Sequence, residues 1–574
     1  MVRIRKIEIK HFRSICSLDW NPVDGINCLI GPGDSGKSTI LDAIDLCLGA
    51  RRTLSLADTD FFQLDVTQDI VIQVTVGALP DFLKNIEVYG SYLRGFDANT
   101  GAVEDEPRKN AETVLTVSLT VKADLEPVWS LYSERTAFDD PPRMLTWRER
   151  THLAPSRLGQ HPNSNLSWTR GSVLNRLSDE RASIGSELVR AAREARMGFG
   201  AKAAPQLEKT LKTVTDTATA LGVPVGKSAT ALLDAHSVSF GDGAISLHSE
   251  AGIPLRNLGT GSSRLLIAGL NRKAAESASI VLVDEIEYGL EPHRLTRLLN
   301  SLGSKEQPSP LQAFITTHSP VVLRELAGTQ LFVLRETAGV HRALPVGDDD
   351  DVQGAIRLHP EAFLARTVIV CEGASEIGLI RGMDEFWVKS GFPSLQADGA
   401  SYVDTGGGDA DRCFHKAKAF LKLGYRVAAV QDNDKAPTTA LVNEFKASGG
   451  YHVAWRDGRA LEDELFASLP DSAVTQLIER ALELTEDGKV DENIKTKSDG
   501  KMNLGQIQFE GLVSSYSPAT RIVLGAASRS RKAGWFKSIS KMEGVARDIL
   551  GPHFDATDSS FTGLIVDLFD WAAL

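Results

Sequence analysis

The stretch that decides the fold is Cys28-Leu-Ile-Gly-Pro-Gly-Asp-Ser-Gly-Lys-Ser-Thr-Ile40, near the start of the sequence. It fits the pattern G-x-x-x-x-G-K-[ST], and it lies between an apolar strand and a predicted amphipathic helix, Thr39–Leu48. The glycines of such a loop let main-chain N–H groups turn inward on phosphates, and the helix N-terminus adds positive potential. Lys37 is predicted to reach the β- and γ-phosphates, and Ser38 to hold Mg²⁺. The predicted nucleotide-binding residues of the loop are Gly31, Gly33, Gly36, Lys37, Ser38 and Thr39.

Length and composition indicate a soluble protein of several domains. The 574 residues are too many for one hydrophobic core, and 42% hydrophobic with 24% charged residues is an ordinary globular composition. The longest apolar runs, such as 279–283, are too short to cross a bilayer. The N-terminal MVRIRKIEIKHF alternates apolar and basic residues and lacks the apolar core of a signal peptide. We therefore expect a cytoplasmic protein that does not associate with membranes.

The cysteines and the charges bear on whether the protein has disulfides, a zinc site or a polyanion-binding surface. Five scattered cysteines form no CxxC pair, which argues against a disulfide framework and against a zinc site. The net charge of −12 argues, on average, against binding to polyanions. The stretch Arg521–Lys541, however, contains six basic residues and no acidic one, whereas Asp348–Asp351 is an acidic run typical of a linker.

Alternating strand and helix patterns predict an α/β fold interrupted by one helical segment. Apolar residues recur at helical spacing from Leu207 to Leu221, and the arginine-rich segment Leu174–Arg196 is also predicted helical. The apolar stripe is typical of internal packing, but a helical hairpin of this kind is also a common dimerisation device. The predicted parts are an α/β block at 1–149, a helical insertion at 150–235, a second α/β block at 236–347, an acidic linker at 348–359 and a final α/β block at 360–574.

Two further strands end in polar residues suited to nucleotide hydrolysis. The apolar strand 279–283 ends in Asp284 and Glu285, at the end of a buried strand where such folds bind ligands. Asp284 is predicted to complete the Mg²⁺ shell, and Glu285 to orient or deprotonate the attacking water. The strand Phe314-Ile-Thr-Thr delivers His318, which is able to contact a γ-phosphate. A single histidine is more often structural, but this one follows the loop and the Asp-Glu strand in order.

The order of these motifs resembles the ABC ATPases of the SMC, RecF and OLD type. The motifs are Phe12-Arg-Ser14, the loop at 28–40, Leu258-Gly-Thr-Gly-Ser-Ser263, Asp284-Glu285, Gly289-Leu-Glu-Pro-His293 and Thr317-His-Ser-Pro320. The resemblance implies ATP as cofactor and a head-to-head homodimer, in which Gly259 and Gly261 of the signature bind the γ-phosphate held by the opposite subunit. The signature LGTGSSR and Tyr288 depart slightly from the commoner forms, and Gln63 is the candidate for the glutamine of the Q-loop.

A second set of acidic residues lies in the last block. The apolar strand from Thr367 runs into Glu372-Gly-Ala-Ser-Glu376, and the strand 426–431 runs into Asp432-Asn-Asp434. Two parallel strands joined by one helical crossover, predicted at Ala410–Leu423, place these four acids at one edge of a sheet. Because clustered carboxylates repel one another, Mg²⁺ or Mn²⁺ is the expected partner, and a pair of such ions can cleave a phosphodiester. The alternative, carboxylates that cap helices, explains any one of these acids but explains all four less well.

The pattern EGxxE, a glycine-rich turn (Thr405–Gly408) and DxD resembles the Toprim fold of topoisomerases, primases and OLD nucleases. Together with the ATPase motifs, it resembles the OLD (overcoming lysogenization defect) endonucleases, a family that includes the nuclease subunit of the Gabija antiphage system. The resemblance implies that Glu372, Glu376, Asp432 and Asp434 are metal ligands. It also implies a fifth acid, for which Glu462 is chosen ahead of Asp463, and a phosphate-neutralising lysine, for which Lys537 is chosen ahead of Lys532 and Lys541.

These resemblances favour a DNA endonuclease in antiphage defence that works as a homodimer or larger homo-oligomer, through the ATPase head and the helical insertion. A helicase is the candidate partner protein. The alternative is an ATP-switched DNA-binding repair protein of RecF or SMC type whose Toprim-like domain is not catalytic. Clustered acids favour the first hypothesis, because a scaffold does not need them. A topoisomerase would need a tyrosine on a separate DNA-gate domain, and a primase is not expected to carry this ATPase.

Overall fold

The computed structural model describes residues 2–51, 54–136, 142–158, 204–221, 226–230, 247–274, 279–530 and 534–573, together with scattered residues between 187 and 202. The chain divides into two compact units. The first unit comprises Met1–Cys28 and Ser38–Thr317, and the second comprises Leu29–Lys37 and His318–Leu574.

The described strands alternate with helices, as the sequence predicts, mainly between residues 280 and 454, whereas residues 3–132 contain few helices and only helices follow residue 454 among the described residues. The strands are β1 (Arg3–Phe12), β2 (Ile15–Trp20), β3 (Ile26–Ile30), β4 (Ile70–Gly77), β5 (Leu93–Phe96), β6 (Val103–Glu104), β7 (Glu112–Val121), β8 (Pro127–Tyr132), β9 (Ser156–Leu158), β10 (Ile280–Val283), β11 (Gln312–Thr316), β12 (Leu331–Thr337), β13 (Val340–Pro345), β14 (Thr367–Cys371), β15 (Ala400–Asp404), β16 (Arg426–Gln431) and β17 (Tyr451–Ala454).

The α-helices include one directly after the phosphate-binding loop and many in the last third of the chain. They are α1 (Lys37–Leu48), α2 (Ile86–Tyr89), α3 (Trp147–Leu153), α4 (Glu208–Ala220), α5 (Thr260–Lys273), α6 (Pro292–Ser301), α7 (Pro320–Glu325), α8 (Asp350–Leu358), α9 (Ala374–Lys389), α10 (Ala410–Lys422), α11 (Thr439–Ala447), α12 (Leu461–Ser468), α13 (Asp471–Leu484), α14 (Lys489–Lys497), α15 (Leu504–Val513), α16 (Pro518–Ser528), α17 (Ile539–Val545) and α18 (Ser559–Ala573).

The first unit combines antiparallel and parallel strand pairs. Strand β1 pairs antiparallel with β2 and β4, and β4 pairs antiparallel with β7, so that Ile9 lies opposite Ile72 and Ile72 opposite Leu119. Strand β10 instead pairs parallel with β9 and β11. All four residues of β10 are buried, as expected for a parallel strand covered on both faces. This pairing brings Asp284, directly after β10, beside the end of β11.

The second unit contains a parallel sheet of β15-β14-β16-β17 in that order. The chain leaves β14 for β15 on one side, returns to β16 on the other side, and continues outward to β17. The connections therefore diverge between β14 and β16, and the crevice beyond the carboxyl ends of two such strands is where open α/β sheets bind ligands. Glu372 and Asp432 are the first residues after these two strands.

The path between β14 and β16 differs from the predicted single crossover. Helix α9, strand β15 and helix α10 all lie between these strands, and α10 ends at Lys422 rather than Leu423. The prediction missed β15 because its residues Ala400–Asp404 are only partly buried at the sheet edge and carry a weak apolar pattern. The acids still follow adjacent strand ends, as predicted, because β14 and β16 are direct parallel neighbours with Cys371 opposite Val430.

Other predicted elements are found with shifted limits. Helix α1 begins at Lys37, two residues before the predicted start. The acidic segment 348–359 contains helix α8, in which Val352, Ala355 and Ile356 are buried. In the predicted helical insertion, α4 covers most of the apolar stripe, but Leu207, Val214 and Leu221 are exposed. The predicted helix Leu174–Arg196 lies largely outside the described residues.

No helix among the described residues is long and apolar enough to cross a membrane.

Candidate nucleotide site and carboxylate cluster

The phosphate-binding loop has the backbone shape that its glycines predict. Gly31 and Gly36 have φ values of 143° and 87°, a region that residues with side chains rarely adopt. A Cβ atom on Gly31 would also lie 3.0 Å from the carbonyl oxygen of Leu334. The buried Lys37 ammonium donates to the carbonyl oxygens of Gly31 (3.1 Å) and Pro32 (2.6 Å) and to Ser35 Oγ (3.2 Å). The lysine thus lies across the loop that would surround the phosphates.

In the first unit, the predicted magnesium-binding side chains are in direct contact. Ser38 Oγ donates to Asp284 Oδ1 at 2.9 Å, and Thr316 Oγ1 donates to the same oxygen at 2.6 Å. The main-chain N–H of Glu285 donates to Thr316 Oγ1 at 2.8 Å. Glu285 itself has a φ of 45°, which is strained for a residue with a side chain. Strands β10 and β11 therefore hold the Asp-Glu pair at the helix that carries Ser38.

The signature segment packs against the residues that follow β10. The fully buried Arg264 of α5 donates to the carbonyl oxygens of Asp284 (3.0 Å), Glu285 (3.0 Å) and Tyr288 (2.8 Å). A Cβ atom on Gly261 would overlap the carbonyl oxygen of Gly289. Glycine at 261 thus lets α5 approach this loop, and Arg264 fixes the loop's conformation through three carbonyl groups.

Two arginines that contact the predicted nucleotide residues or their loop were not singled out from the sequence. Arg264 is the last residue of LGTGSSR, and its fixed place in that motif could have indicated it. Arg157 of β9 lies 2.6 Å from Asp42 Oδ1 and 3.7 Å from Asp284 Oδ2. Nothing in the short segment Ser156–Leu158 indicates this role, because it depends on the parallel pairing of β9 with β10.

The other residues predicted to bind nucleotide lie in loops, in short turns or at helix starts. Thr39 Oγ1 is 3.4 Å from Ser14 Oγ, and Gly259 precedes the first residue of α5. Gln63 is exposed on a short 3-10 turn with a φ of 54°. Gly33 is exposed at the tip of the loop, and His318 is exposed between β11 and α7.

The predicted acids of the last block converge at the carboxyl ends of β14 and β16. The main-chain N–H of Asp432 donates to Glu372 Oε2 (3.2 Å), and the N–H of Leu461 donates to Asp432 Oδ1 (2.9 Å). Ser375 Oγ, one residue before Glu376, donates to Glu462 Oε1 (3.3 Å). The EGxxE loop, the DxD loop and the start of α12 therefore meet at the point where the sheet connections diverge.

The inner carboxylates destabilise one another's charged forms. Burial, with the charges of Glu462 and Glu372, raises the pKa of Asp432 to about 8. Burial, with the charges of Asp432 and Glu462, raises the pKa of Glu376 well above its usual value. Burial also raises the pKa of Glu372 and of Glu462, and in Glu462 the nearby Lys537 ammonium opposes this rise. Close carboxylates behave in this way when no cation compensates them.

The glycine-rich turn closes over the first acid. Thr405 Oγ1 and the N–H of Gly407 both donate to the carbonyl oxygen of Glu372, at 2.8 Å and 2.7 Å. Gly406, Gly407 and Gly408 all have positive φ values. The turn therefore fixes the backbone of Glu372 while its carboxylate remains directed toward Asp432 N.

The geometry separates Glu462 from Asp463. Glu462 is almost fully buried and belongs to the inner group, whereas Asp463 Oδ2 accepts from the N–H of Ala460 at 3.0 Å at the start of α12. The adjacent Glu464, which is fully buried, accepts hydrogen bonds from Arg456 and Arg459. These ion pairs fix the first turn of α12 and thus direct Glu462 inward.

The predicted lysines also occupy different surroundings. Lys537 is exposed, and its charge acts on Glu462. It borders an open depression of about 600 Å³ that Ala374, Arg381, Ser538 and Ser540 also line. Lys541 instead donates to the carbonyl oxygen of Leu484 at 3.2 Å. Lys532 lies outside the described residues.

One arginine of the cluster was not singled out from the sequence. Arg529, just after α16, lies 2.8 Å from Asp434 Oδ2 and 3.3 Å from Asp463 Oδ2. No signal in the sequence indicates it, because its position depends on the close approach of Gly525 in α16 to Asp463 in α12.

The donor set of this cluster fits a hard divalent cation, because it consists of carboxylate oxygens with little compensating charge. Among the residues that the structure describes, however, no three Asp, Glu, His or Cys side chains form a group that could already hold a metal ion. Glu372, Glu376 and Asp432 each accept from a main-chain N–H, and Asp434 pairs with Arg529.

The loop geometry and the Ser38–Asp284 contact define a P-loop ATPase of α/β fold. The family model described as "AAA domain, putative AbiEii toxin, Type IV TA system" matches residues 26–324, more than half of the sequence. The chain belongs to this AAA-domain family, and it contains an ATPase-type domain that binds ATP.

Comparison with curated proteins gives relatives named as a nuclease and as DNA replication and repair proteins. An OLD nuclease of Thermus scotoductus is 26% identical over 342 residues, which are 55% of this chain and 59% of that protein. A DNA replication and repair protein RecF of Chlorobium phaeovibrioides is 27% identical over 113 residues, which are 18% of this chain and 30% of RecF. The chain thus spans 59% and 30% of the lengths of these two relatives.

Among solved structures, the chain is similar to an SMC head domain with an extended coiled coil, bound to the C-terminal domain of ScpA, from Pyrococcus furiosus. The identity is 14%, and the match covers 60% of this chain and 96% of that chain. The TM-score of 0.33 is low. The ATPase class therefore rests on the family match and on the geometry of the loop.

Proposed function

We propose that this chain is an ATP-hydrolysing, Mg²⁺- or Mn²⁺-dependent DNA endonuclease of OLD type. The observation that carries the proposal is the meeting of Glu372, Glu376, Asp432 and Glu462 where the sheet connections diverge, with pKa values raised by burial and mutual repulsion. Placing like charges together in a partly buried site costs folding free energy. Such a cost is typical of a functional site that a cation completes. The OLD nuclease relative supports the same class of enzyme.

In this proposal, residues 360–574 form a Toprim-like nuclease domain. The strand order β15-β14-β16-β17 and the acids after its two central strands support this assignment. Residues 1–149 and 236–347 would form the two parts of the ATPase, 348–359 the connection, and 150–235 a helical dimerisation insertion. The exposed apolar residues Leu207, Val214 and Leu221 are consistent with a partner surface on that insertion.

The proposed metal ligands are Glu372, Glu376, Asp432, Asp434 and Glu462. Bound Mg²⁺ or Mn²⁺ would supply an activated water and would stabilise the leaving oxygen of the phosphodiester. The protein's own contribution is to hold the ligands: Gly407 and Thr405 fix Glu372, and Arg456 with Glu464 fixes the turn that carries Glu462.

The proposed phosphate-binding group is Lys537. Its ammonium acts electrostatically on Glu462 and borders the open depression shared with Arg381, Ser538 and Ser540. A cation beside the acids would offset the repulsion between them and the negative DNA backbone. The basic stretch 521–541 would contribute further positive charge to a chain whose net charge is −12.

In the proposed ATPase cycle, Lys37 would bind the β- and γ-phosphates, and Ser38 and Asp284 would hold Mg²⁺. Glu285 would orient the attacking water, and His318 would contact the γ-phosphate. Gly259 and Gly261 would serve the nucleotide of a second copy, so that ATP binding would assemble a homodimer or larger homo-oligomer. Gln63, in this proposal, provides the Q-loop contact.

The biological setting that fits this enzyme is antiphage defence, as in Gabija-type systems, with duplex DNA as substrate and a helicase as the candidate partner protein. A second candidate function is a RecF-like ATP-switched DNA-binding protein with a silent second domain. The 113-residue similarity to RecF favours it. The clustered acids argue against it, because a binding protein without a metal would retain their electrostatic cost for no purpose.

The test is cleavage of supercoiled plasmid DNA with Mg²⁺ or Mn²⁺. We expect the wild-type chain to nick or cut the plasmid, and Glu372→Gln and Asp432→Asn to lose at least about 100-fold in rate. The matched control is Asp411→Asn, an acid of the same unit that accepts hydrogen bonds from Thr438 instead of facing the cluster. Normal cleavage by the two cluster variants would refute the proposed site, and DNA binding without cleavage by the wild type would favour the RecF-like function.

A further inference from the structure

The acidic cluster contains a built-in cation. The guanidinium of Arg529 lies between two carboxylates from different segments, 2.8 Å from Asp434 Oδ2 and 3.3 Å from Asp463 Oδ2. Asp434 belongs to the DxD loop after β16, and Asp463 to the first turn of α12. Arg529 thus bridges the outer side of the cluster whose inner side contains Asp432 and Glu462.

The packing of α16 against α12 is built to bring Arg529 to this place. At Gly525, one helical turn before Arg529, an added Cβ atom would lie 2.7 Å from Asp463 Oδ1 and 3.0 Å from Asp463 Cα. Only glycine permits so close an approach of α16 to the backbone of α12. The contact therefore follows from helix packing rather than from a long side chain that happens to reach an acid on the surface.

The charges of this outer pair influence the rest of the site. The charge of Asp434 contributes to the raised pKa of both Glu372 and Asp432. Arg529 and Asp434 retain about one third of their side-chain exposure, 32% and 29%, so a small cation can enter and the guanidinium can leave. A divalent cation that binds Asp434 must compete with the guanidinium for the same carboxylate.

We propose that Arg529 is a resident counter-cation that divalent metal displaces from Asp434, so that it sets the metal concentration at which the site becomes occupied. This inference rests on the proposed function, because it takes the acids to be a metal site. The exchange keeps the charge of the cluster partly balanced on both sides of the equilibrium. Arg529 therefore stabilises the metal-free cluster and weakens its affinity for metal.

The test is calorimetric titration of the full-length chain with Mn²⁺ alone, without DNA or nucleotide. The variants are Arg529→Gln, which removes the competing charge, and Arg529→Lys, which keeps it. We expect Arg529→Gln to bind Mn²⁺ about 3- to 10-fold more tightly than the wild type, because one nearby charge changes such equilibria by up to about one order of magnitude. Arg529→Lys should remain within about twofold of the wild type.

Two controls separate this inference from the proposed function. Arg547→Gln removes an arginine that pairs with Glu385 and Asp548 instead, and it should leave the Mn²⁺ affinity unchanged. Asp432→Asn identifies the binding that belongs to the cluster. If Asp432→Asn binds Mn²⁺ as the wild type does, or if neither binds it, the proposed metal site and this inference are both wrong. If that binding exists but Arg529→Gln binds Mn²⁺ no more tightly than wild type, only the inference falls.

A thermal melt in EDTA gives a second readout that does not depend on metal loading. The midpoint should fall for Arg529→Gln, because the metal-free cluster then loses its counter-cation, and it should be largely retained in Arg529→Lys. An unchanged midpoint in Arg529→Gln would show that the guanidinium does not compensate the acids, and would overturn the inference.

Discussion

Asp432 illustrates, at the scale of a residue, how a carboxylate proposed to bind metal can reduce stability. Burial and the neighbouring acids raise its pKa to about 8, so its charged form is disfavoured in the folded chain. We predict that Asp432→Asn increases the free energy of unfolding in EDTA by roughly 0.5–2 kcal/mol while it abolishes metal-dependent cleavage. The asparagine Oδ1 retains an acceptor for the N–H of Leu461. Chemical denaturation of the EDTA-treated proteins measures this change.

A matched substitution, Asp411→Asn, should change the free energy of unfolding in the opposite direction. Asp411 accepts from the N–H and the Oγ1 of Thr438, both at 2.7 Å, and these hydrogen bonds lower its pKa. Asp411→Asn should therefore reduce stability. If Asp432→Asn were destabilising to the same degree, the carboxylates would not be repelling one another in the folded chain.

The sequence predicts the conformation and contacts of single residues where a motif fixes the spacing between them. The loop residues Gly31 and Gly36 have the predicted backbone, and Ser38 contacts Asp284 across 246 positions of sequence. The sequence could not separate Glu462 from Asp463, because both lie in the first turn of α12 and only burial and capping distinguish them. It also could not identify Arg529, whose role depends on how α16 packs on α12.

At the scale of secondary-structure elements, the packing of α16 against α12 positions Arg529 beside Asp434 and Asp463. We predict that Gly525→Ala lowers the thermal midpoint and disturbs the Arg529 bridge, because the new methyl group would lie 2.7 Å from Asp463 Oδ1 and 3.0 Å from its Cα. The expected loss of stability is about 1–3 kcal/mol, typical of overpacking at a close contact. Differential scanning calorimetry measures the midpoint.

The control for this substitution is Gly563→Ala in α18. Apart from the backbone of its own helix and its chain neighbours, no atom lies within 4 Å of a Cβ placed on Gly563, so the same substitution should stabilise the chain by up to about 1 kcal/mol through helix propensity. Equal effects at 525 and 563 would contradict the close packing of α16 on α12.

The prediction of elements succeeded where strands are fully buried and failed at the sheet edge. Strands β10, β14 and β16 were predicted because each is a short apolar run that ends in acids. Strand β15 was missed, and with it the true path between β14 and β16, because a half-buried edge strand lacks a continuous apolar run. The strand order that defines the crevice therefore had to come from the structure.

At the scale of the whole molecule, the proposed nucleotide hydrolysis and the proposed DNA cleavage rely on different residues. Lys37 lies in the phosphate-binding loop, where it donates to Gly31, Pro32 and Ser35, whereas the acids lie at the ends of β14 and β16. We predict that Lys37→Ala removes ATP hydrolysis and leaves Mn²⁺ binding at the cluster unchanged. Phosphate release and calorimetry on one preparation measure both quantities.

The reciprocal variant completes this comparison. Asp432→Asn should lose cluster metal binding and keep ATP hydrolysis. Loss of both properties in either variant would mean that the two sites are not independent and that the proposed division of roles is wrong.

The central claim is that metal ions held by the acids after β14 and β16 contact the phosphate that is cut. The most direct measurement is cleavage of DNA that carries a single sulfur in place of a non-bridging oxygen at the cut position, compared in Mg²⁺ and in Mn²⁺. Because Mg²⁺ binds sulfur poorly and Mn²⁺ tolerates it better, we expect one sulfur isomer to block cleavage in Mg²⁺ and Mn²⁺ to restore it. Asp432→Asn should cut in neither condition. Equal cleavage of the oxygen and sulfur substrates in Mg²⁺, or cleavage that persists in EDTA, would contradict the account.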